Sequence, residues 1–182
     1  MLFTDAKGAI LDKPNEIIIT RSGCMFNVRP VCADDEVSLA EFFRHVTPDD
    51  IRFRFLTGIK DVGHDRLFSM THVDHHQTEN FIAFIDGESE IIATAMLACD
   101  ADLERGEVAI AIRSDFKNDG VGWEMLKLVT RHANSIGVKI IESIESRENH
   151  AAIDLEREMG FTATSYPGDA TLMLLQRTLG VE

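Results

Sequence analysis

The chain has 182 residues, 45% hydrophobic and 27% charged, an ordinary globular composition that excludes a disordered tail protein. A domain of this length buries about 70% of its unfolded surface, so it needs neither disulfides nor a metal to stand up. With 18 Lys and Arg against 31 Asp and Glu, the net charge of −13 argues against nucleic acid; it suits a basic partner, although solubility alone accounts for it equally well.

Residues 1–15, with Gly8 and the Lys13-Pro14-Asn15 turn signal, read as a flexible lead-in, and residues 16–182 as a single domain. Met1 to Gly8 lacks the charged-then-apolar order of a signal peptide, and no apolar run reaches the roughly 18 residues of a membrane span. Cys24, Cys32 and Cys99 show no CxxC spacing, so a reduced, cytoplasmic protein without a membrane partner is expected.

Glu16 to Thr20 and Met25 to Val31 read as strands joined in a hairpin by Arg21-Ser22-Gly23-Cys24. Asp34 or Asp35 is placed to cap a helix over Glu36 to His45, with Leu39, Phe42, Phe43 and Val46 on one face. Pro48 starts a second short helix reaching Phe55, and a third lies near His64 to Thr71. Strands follow at Asn80 to Ile85, Glu90 to Cys99 and Arg105 to Arg113, the first two joined by a turn at Asp86-Gly87-Glu88-Ser89. Gly120 to Ile136 is a helix with Gly122, Met125, Leu126, Val129, Ala133 and Ile136 on one stripe, ended by Gly137. Val138 to Ser146 is a strand, Asn149 to Met159 a helix stopped by Gly160, and Phe161 to Tyr166 and Thr171 to Gln176 a closing pair. Consecutive strands exclude a strictly alternating parallel fold and indicate α+β with one central sheet.

The densest chemistry lies between Arg105 and Gly122. Alternation puts Glu107, Ala109 and Ala111 on one strand face and Val108, Ile110 and Ile112 on the other. The small face leaves space with a carboxylate at its start. The loop after it carries Gly120 and Gly122, which let backbone N–H groups approach an anion at a helix start. Taken alone, Gly120-x-Gly122 fits a tight turn equally well, and Glu107 fits an edge carboxylate facing water. Met125 stands where a dinucleotide fingerprint needs a third glycine, and no P-loop Lys-Ser/Thr follows.

The combination of strand, Lys117-x-x-Gly120-x-Gly122, amphipathic helix, strand, then Asn149, helix and Gly160-Phe161 resembles the GNAT superfamily of acyl-CoA-dependent N-acyltransferases. More narrowly, Phe26-Asn27-Val28-Arg29-Pro30-Val31, Asp50-Ile51-Arg52-Phe53-Arg54-Phe55-Leu56 and Leu67 to Asp74 resemble the acetyltransferase domain of bacterial protein-lysine acetyltransferases. The resemblance implies a mixed, mostly antiparallel sheet flanked by helices, with acetyl-CoA as acyl donor. It places the pantetheine arm against the strand at Ile110, Ala111 and Ile112. The pyrophosphate falls on the loop Lys117, Asn118, Asp119, Gly120, Val121 and Gly122, and Asn149 belongs to the family's second block. By the same resemblance Glu107 is the general base that deprotonates a primary amine, on a protein lysine or a small molecule.

Three positions depart from the family pattern. Lys117 replaces Gln or Arg and offers a point charge without a fork. Asp119 stands where Arg or Gly is usual, a repulsion of about 1 kcal/mol beside a solvated pyrophosphate. Glu156 occupies the position where many members carry a tyrosine acid. A non-catalytic acyl-CoA-binding regulatory module is therefore the alternative to an enzyme, and a homodimer is compatible with either.

The remaining polar residues read as structural. His64, His72, His75 and His76 lack a ligand spacing, so no metal is expected, and Asp74 is a candidate for the amine entrance. Arg52 and Arg54 read as ion-pair or packing residues. Glu142, Glu145, Asp154 and Glu156 read as a solvated acidic face, and Trp123 as core or rim.

Overall fold

The computed structural model describes residues 15–59, 61–85 and 90–180. The lead-in as far as residue 14 and the turn expected at Asp86 to Ser89 lie outside the described residues. The strands are β1 (Glu16–Ile19), β2 (Met25–Pro30), β3 (Thr78–Phe84), β4 (Ile91–Cys99), β5 (Arg105–Ile112), β6 (Ile140–Ser146), β7 (Thr162–Ser165) and β8 (Leu172–Thr178). The helices are α1 (Glu36–Arg44), α2 (Pro48–Phe55), α3 (His64–Thr71), α4 (Val121–Ser135) and α5 (His150–Glu158). The expected elements are all present, with boundaries moved by one or two residues.

The eight strands form one sheet in the order β1-β2-β3-β4-β5-β6-β8-β7. Only β5 and β6 run parallel, because the chain between them crosses over through α4. The α+β class and the mostly antiparallel sheet expected from the resemblance are thus observed. One face of the sheet packs on α4 and α5 through Val108, Met125, Leu126, Val129, Ile141 and Ile153. The other packs on α1, α2 and α3 through Leu39, Phe42, Ile51, Leu67, Ile82 and Ala111. Alternation in β5 sets this division: the isoleucine side meets α4, and the alanine side meets the three short helices.

The β5–β6 ladder is brief. It pairs Arg105 with Ile140, Gly106 with Ile141 and Glu107 with Glu142, and then stops. Each strand keeps its outer partner beyond that point: β5 follows β4 as far as Ile112 opposite Ala93, and β6 follows β8 as far as Ser146 opposite Leu172. The sheet therefore splits into a wedge just past Glu107.

The cap expected at Asp34 or Asp35 does not form. A 3-10 turn over Ala33–Asp35 leads into α1 with no side-chain cap. The Asp35 carboxylate points back, accepting two bonds of 2.7 Å from the Arg29 guanidinium and one of 2.8 Å from the Cys32 N–H. A bidentate fork from a guanidinium, with the Cys32 N–H beside it, outweighs a single N-cap bond. Burial alone would raise the Asp35 carboxyl, but Arg29 and the Cys32 N–H hold it below the usual range. Asp35→Ala, which strands the Arg29 guanidinium, is expected to cost about 2–4 kcal/mol in urea unfolding. A loss below about 1 kcal/mol, typical of a surface change, would contradict this role.

Candidate active site

The wedge opens into a cavity of about 360 Å³. One wall is β5 from Glu107 to Ile112, whose backbone on this side has no β6 partner past Glu107. The opposite wall is Ile144 and Glu145 of β6 with Asn149, Leu155 and Glu156 at α5. The loop residues Lys117, Asn118 and Gly120 close one end with Gly122 and Trp123 of α4, and Asp50, Phe53 and Arg54 of α2 close the alanine side. Glu107 stands at the mouth with its side chain in solvent.

Most of the residues singled out from sequence meet here: Glu107, Ile110, Ala111, Ile112, Lys117, Asn118, Gly120, Gly122 and Asn149 all line the cavity. Val121 and Asp119 do not. Val121 is fully buried in the core. The Asp119 carbonyl accepts a 2.7 Å bond from Ser22 Oγ in the β1–β2 turn. Its charge, after burial, helps push the Cys24 thiol up. The Asp119 backbone is thus tied to the hairpin, and its side chain is outside the cavity wall.

The loop is shaped by backbone conformation. Asn118 (φ 69°) and Gly120 (φ 82°) are left-handed, and Thr20 of the hairpin lies 3.2 Å from where a Gly120 Cβ would stand. A Cβ on Gly122 would come within 2.9 Å of Ile112 Cδ1, so the missing side chain lets α4 start against β5. No side chain caps α4, which leaves the N–H groups of its first turn facing the cavity end. Lys117 lines the cavity as expected and has a partner that local sequence does not show: its Nζ lies 2.7 Å from both carboxylate oxygens of Asp50, tying the loop to α2. An anion at this end is therefore met chiefly by backbone N–H groups.

The four acidic residues expected on a solvated face are divided. Asp154 is exposed beside Arg157, and Glu142 pairs with Arg105 at 2.9 Å. Glu156 is buried, accepting a 2.5 Å bond from Ser143 Oγ, and Glu145 lines the cavity, accepting a 2.7 Å bond from Asn149 Nδ2. Burial pushes Glu156 up to about 7, and burial together with Glu156 pushes Glu145 up to about 8. Strand alternation carried this signal, since Glu145 shares its β6 face with Ile141 and Ser143, both buried.

Arg52 is an ion-pair residue, 2.8 Å from Glu148, as read from sequence. Arg54 is not. Among the described residues its Nε is wholly buried without a hydrogen-bond partner, and Nη2 reaches only the Met96 sulfur at 3.7 Å. Desolvation lowers its ionisation to about 10, against the pull of Glu107 and Glu145, so it stays cationic at neutral pH. The histidines serve elsewhere: His75 bonds Glu79 at 2.9 Å, His64 bonds Glu36 at 2.5 Å, and His72 stacks on Phe68. Asp74 accepts the N–H groups of His76, Gln77 and Thr78, and is not part of the cavity wall. Among the described residues no group of three His, Cys, Asp or Glu is placed to hold a metal ion, and no helix is long and apolar enough to cross a membrane. A second cavity, about 410 Å³ between α1 and Arg113, holds none of the sequence-predicted site residues, and its Arg113 is paired with Asp115 and Glu90.

Residues 41–161 match the model of the Acetyltransferase (GNAT) family, and the chain belongs to that family. It is 26% identical over 149 residues to Acetyltransferase PA5475 of Pseudomonas aeruginosa, covering 81% of this chain and 80% of that one. Its fold matches the GNAT domain of S. lividans PAT with a TM-score of 0.83 at 21% identity, over 91% of this chain and 97% of that one. It also matches a GNAT superfamily phosphinothricin acetyltransferase from Sinorhizobium meliloti in complex with AcCoA (TM-score 0.69, 16% identity, 85% of this chain and 89% of that one).

The two raised carboxyls give a signed stability effect. Each ionises at higher pH folded than unfolded, so its contribution is complete below the ordinary value of 4.5 and is lost as pH rises through about 7 and 8. Wild type is expected to lose stability between about pH 5 and 8.5, and the E145Q/E156Q double variant to lose about 1–3 kcal/mol less over that range in urea titrations. Equal losses in both proteins would show that neither carboxyl is held neutral.

Proposed function

We propose that this chain transfers an acetyl group from acetyl-CoA to a primary amine, with Glu107 as the base. The observation that carries this reading is that β5 parts from β6 immediately after Glu107, so one point of the sheet offers both a free strand edge and a carboxylate. The edge from Val108 to Ile112 has unsatisfied backbone groups of the kind that an acyl-CoA arm's amides would pair with. The open first turn of α4, beside Gly120 and Gly122, suits the pyrophosphate. These residues fit the donor without calling on Lys117.

Glu107 is exposed, which suits a group that must meet an incoming ammonium. The amine loses a proton to Glu107, directly or through a water, and its nitrogen attacks the thioester carbonyl. The C–N bond forms and the C–S bond breaks, and the nitrogen passes its second proton to the departing sulfur, which leaves as the thiol. A backbone N–H on the open edge would stabilise the charge developing on the carbonyl oxygen. The resemblance of Phe26 to Val31, Asp50 to Leu56 and Leu67 to Asp74 to protein-lysine acetyltransferases supports a protein lysine as acceptor. A small amine is the second reading, favoured by the cationic Arg54 in the cavity wall, which a lysine side chain would not need.

At about 100 times its Kd, acetyl-CoA is expected to raise the melting temperature by roughly 5–10 °C, as should CoA, while NADH should not. Absence of a shift at millimolar acetyl-CoA would remove the donor site. Glu107→Gln is expected to keep that shift while lowering thiol release about 10²–10⁴-fold across an amine panel. Turnover near wild type would take Glu107 out of the base role, and binding without thiol release in wild type would favour a regulatory module.

A further inference from the structure

Arg54 is the cavity residue that acyl transfer to an amine leaves without a task. It comes from the last turn of α2 and lies over the alanine side of the sheet, where Met96 of β4 pairs with Ala109 of β5. Ala109 and Ala111 leave the space in which its guanidinium lies. Glu107 is on the same side of the strand. The Arg54 contacts are weak: the Met96 sulfur, and the Phe55 ring 5.0 Å from its central carbon. Neighbouring arginines show the usual alternative. Arg29 is forked by Asp35 and Arg113 by Asp115, each through two short bonds. Arg54 has no such carboxylate, although its Nε is wholly out of water. A buried donor without an acceptor costs free energy that an arriving acceptor would recover.

The charges around it define what would fit. Glu107 and Glu145 act on Arg54 through space without a hydrogen bond. Burial and Glu156 push Glu145 up to about 8, so at pH 7 it offsets little of the Arg54 charge, and Glu107 acts on that charge only through space. An ammonium at Glu107 and an anion at Arg54 would be met in one cavity by opposite charges a short distance apart.

We propose that Arg54 is a carboxylate-binding residue of this cavity, receiving a carboxylate carried by the substrate beside its reacting group. The proposal rests on the acyl-transfer reading of the same cavity and narrows its substrate class. A planar guanidinium with donors to spare matches a carboxylate bidentately. The carboxylate has two possible sources, the amine acceptor (a free amino acid) or the acyl chain of the donor (a dicarboxylic acyl-CoA).

The test measures thiol release in two arms. In the acceptor arm, acetyl-CoA is the donor, and the free L-amino acids are compared with their carboxamides. In the donor arm, succinyl-CoA is compared with acetyl-CoA on a lysine peptide. In one arm the carboxylate-bearing substrate is expected to exceed its neutral counterpart about 10–100-fold in kcat/KM, and that arm names the source. Arg54→Met, which removes a buried charge at similar length, should bring the ratio near one, and Arg54→Lys should leave it intermediate. Ratios near one in both wild-type arms, or a preference that survives in Arg54→Met, would overturn the proposal. If wild type releases no thiol with any pair, acyl transfer itself fails, and calorimetry on the CoA-loaded protein decides the Arg54 question. Binding of succinate or of a free amino acid that is lost in Arg54→Met upholds the carboxylate site, and no binding by wild type overturns it.

Discussion

The candidate site of this chain rests on the ladder between β5 and β6 ending after three residue pairs. A sheet interior normally satisfies its own backbone, and unpaired buried N–H and C=O groups are costly. Here each strand pairs its outward groups with its outer neighbour to its end, while the inner-edge groups face an open cavity instead of packed core. The sheet is therefore continuous near Glu107 and divided beyond it. Gly122 fixes the far side of the division, since any larger residue would press on Ile112 and hold α4 away from β5.

The second consequence is electrostatic. A wedge between two half-sheets removes charged groups from water without necessarily giving them partners. Glu145 and Glu156 respond by ionising late, at about 8 and 7, and Ser143 and Asn149 supply one hydrogen bond to each pair member. Arg54 responds differently, because even at about 10 it remains charged at neutral pH. The chain has a net charge of −13, yet the cavity wall carries the Arg54 cation and the Lys117–Asp50 ion pair beside the exposed Glu107, with Glu145 and Glu156 both ionising late. Bulk acidity is thus a poor guide to the polarity of this site.

Much of this was legible from local pattern. Alternation in Arg105 to Ile112 placed the bulky and small faces correctly, and the helical stripe from Gly122 to Ala133 is the face that α4 buries. Glycine positions announced the loop. What local pattern does not encode is which strands become neighbours and where their pairing stops, since those depend on contacts far apart in sequence. The same limit explains Lys117, whose partner Asp50 lies 67 residues away, and Asp35, whose carboxylate answers Arg29 rather than its own helix. Glu145 and Glu156 stand on faces whose neighbours are buried, a signal that their charge masks in the sequence. Arg54 differs from Arg52 by two positions on one short helix, which turns one to Glu148 and the other to the cavity.

The most direct measurement is amide hydrogen exchange with and without acetyl-CoA, resolved to peptides covering β5 and the loop. If the open edge and the start of α4 receive the acyl donor, exchange should slow at Val108 to Ile112 and at Lys117 to Trp123, while the β1–β2 hairpin strands and α3 stay as they were. Protection confined to other segments, or none at saturating acetyl-CoA, would contradict the assignment of the wedge as the donor site.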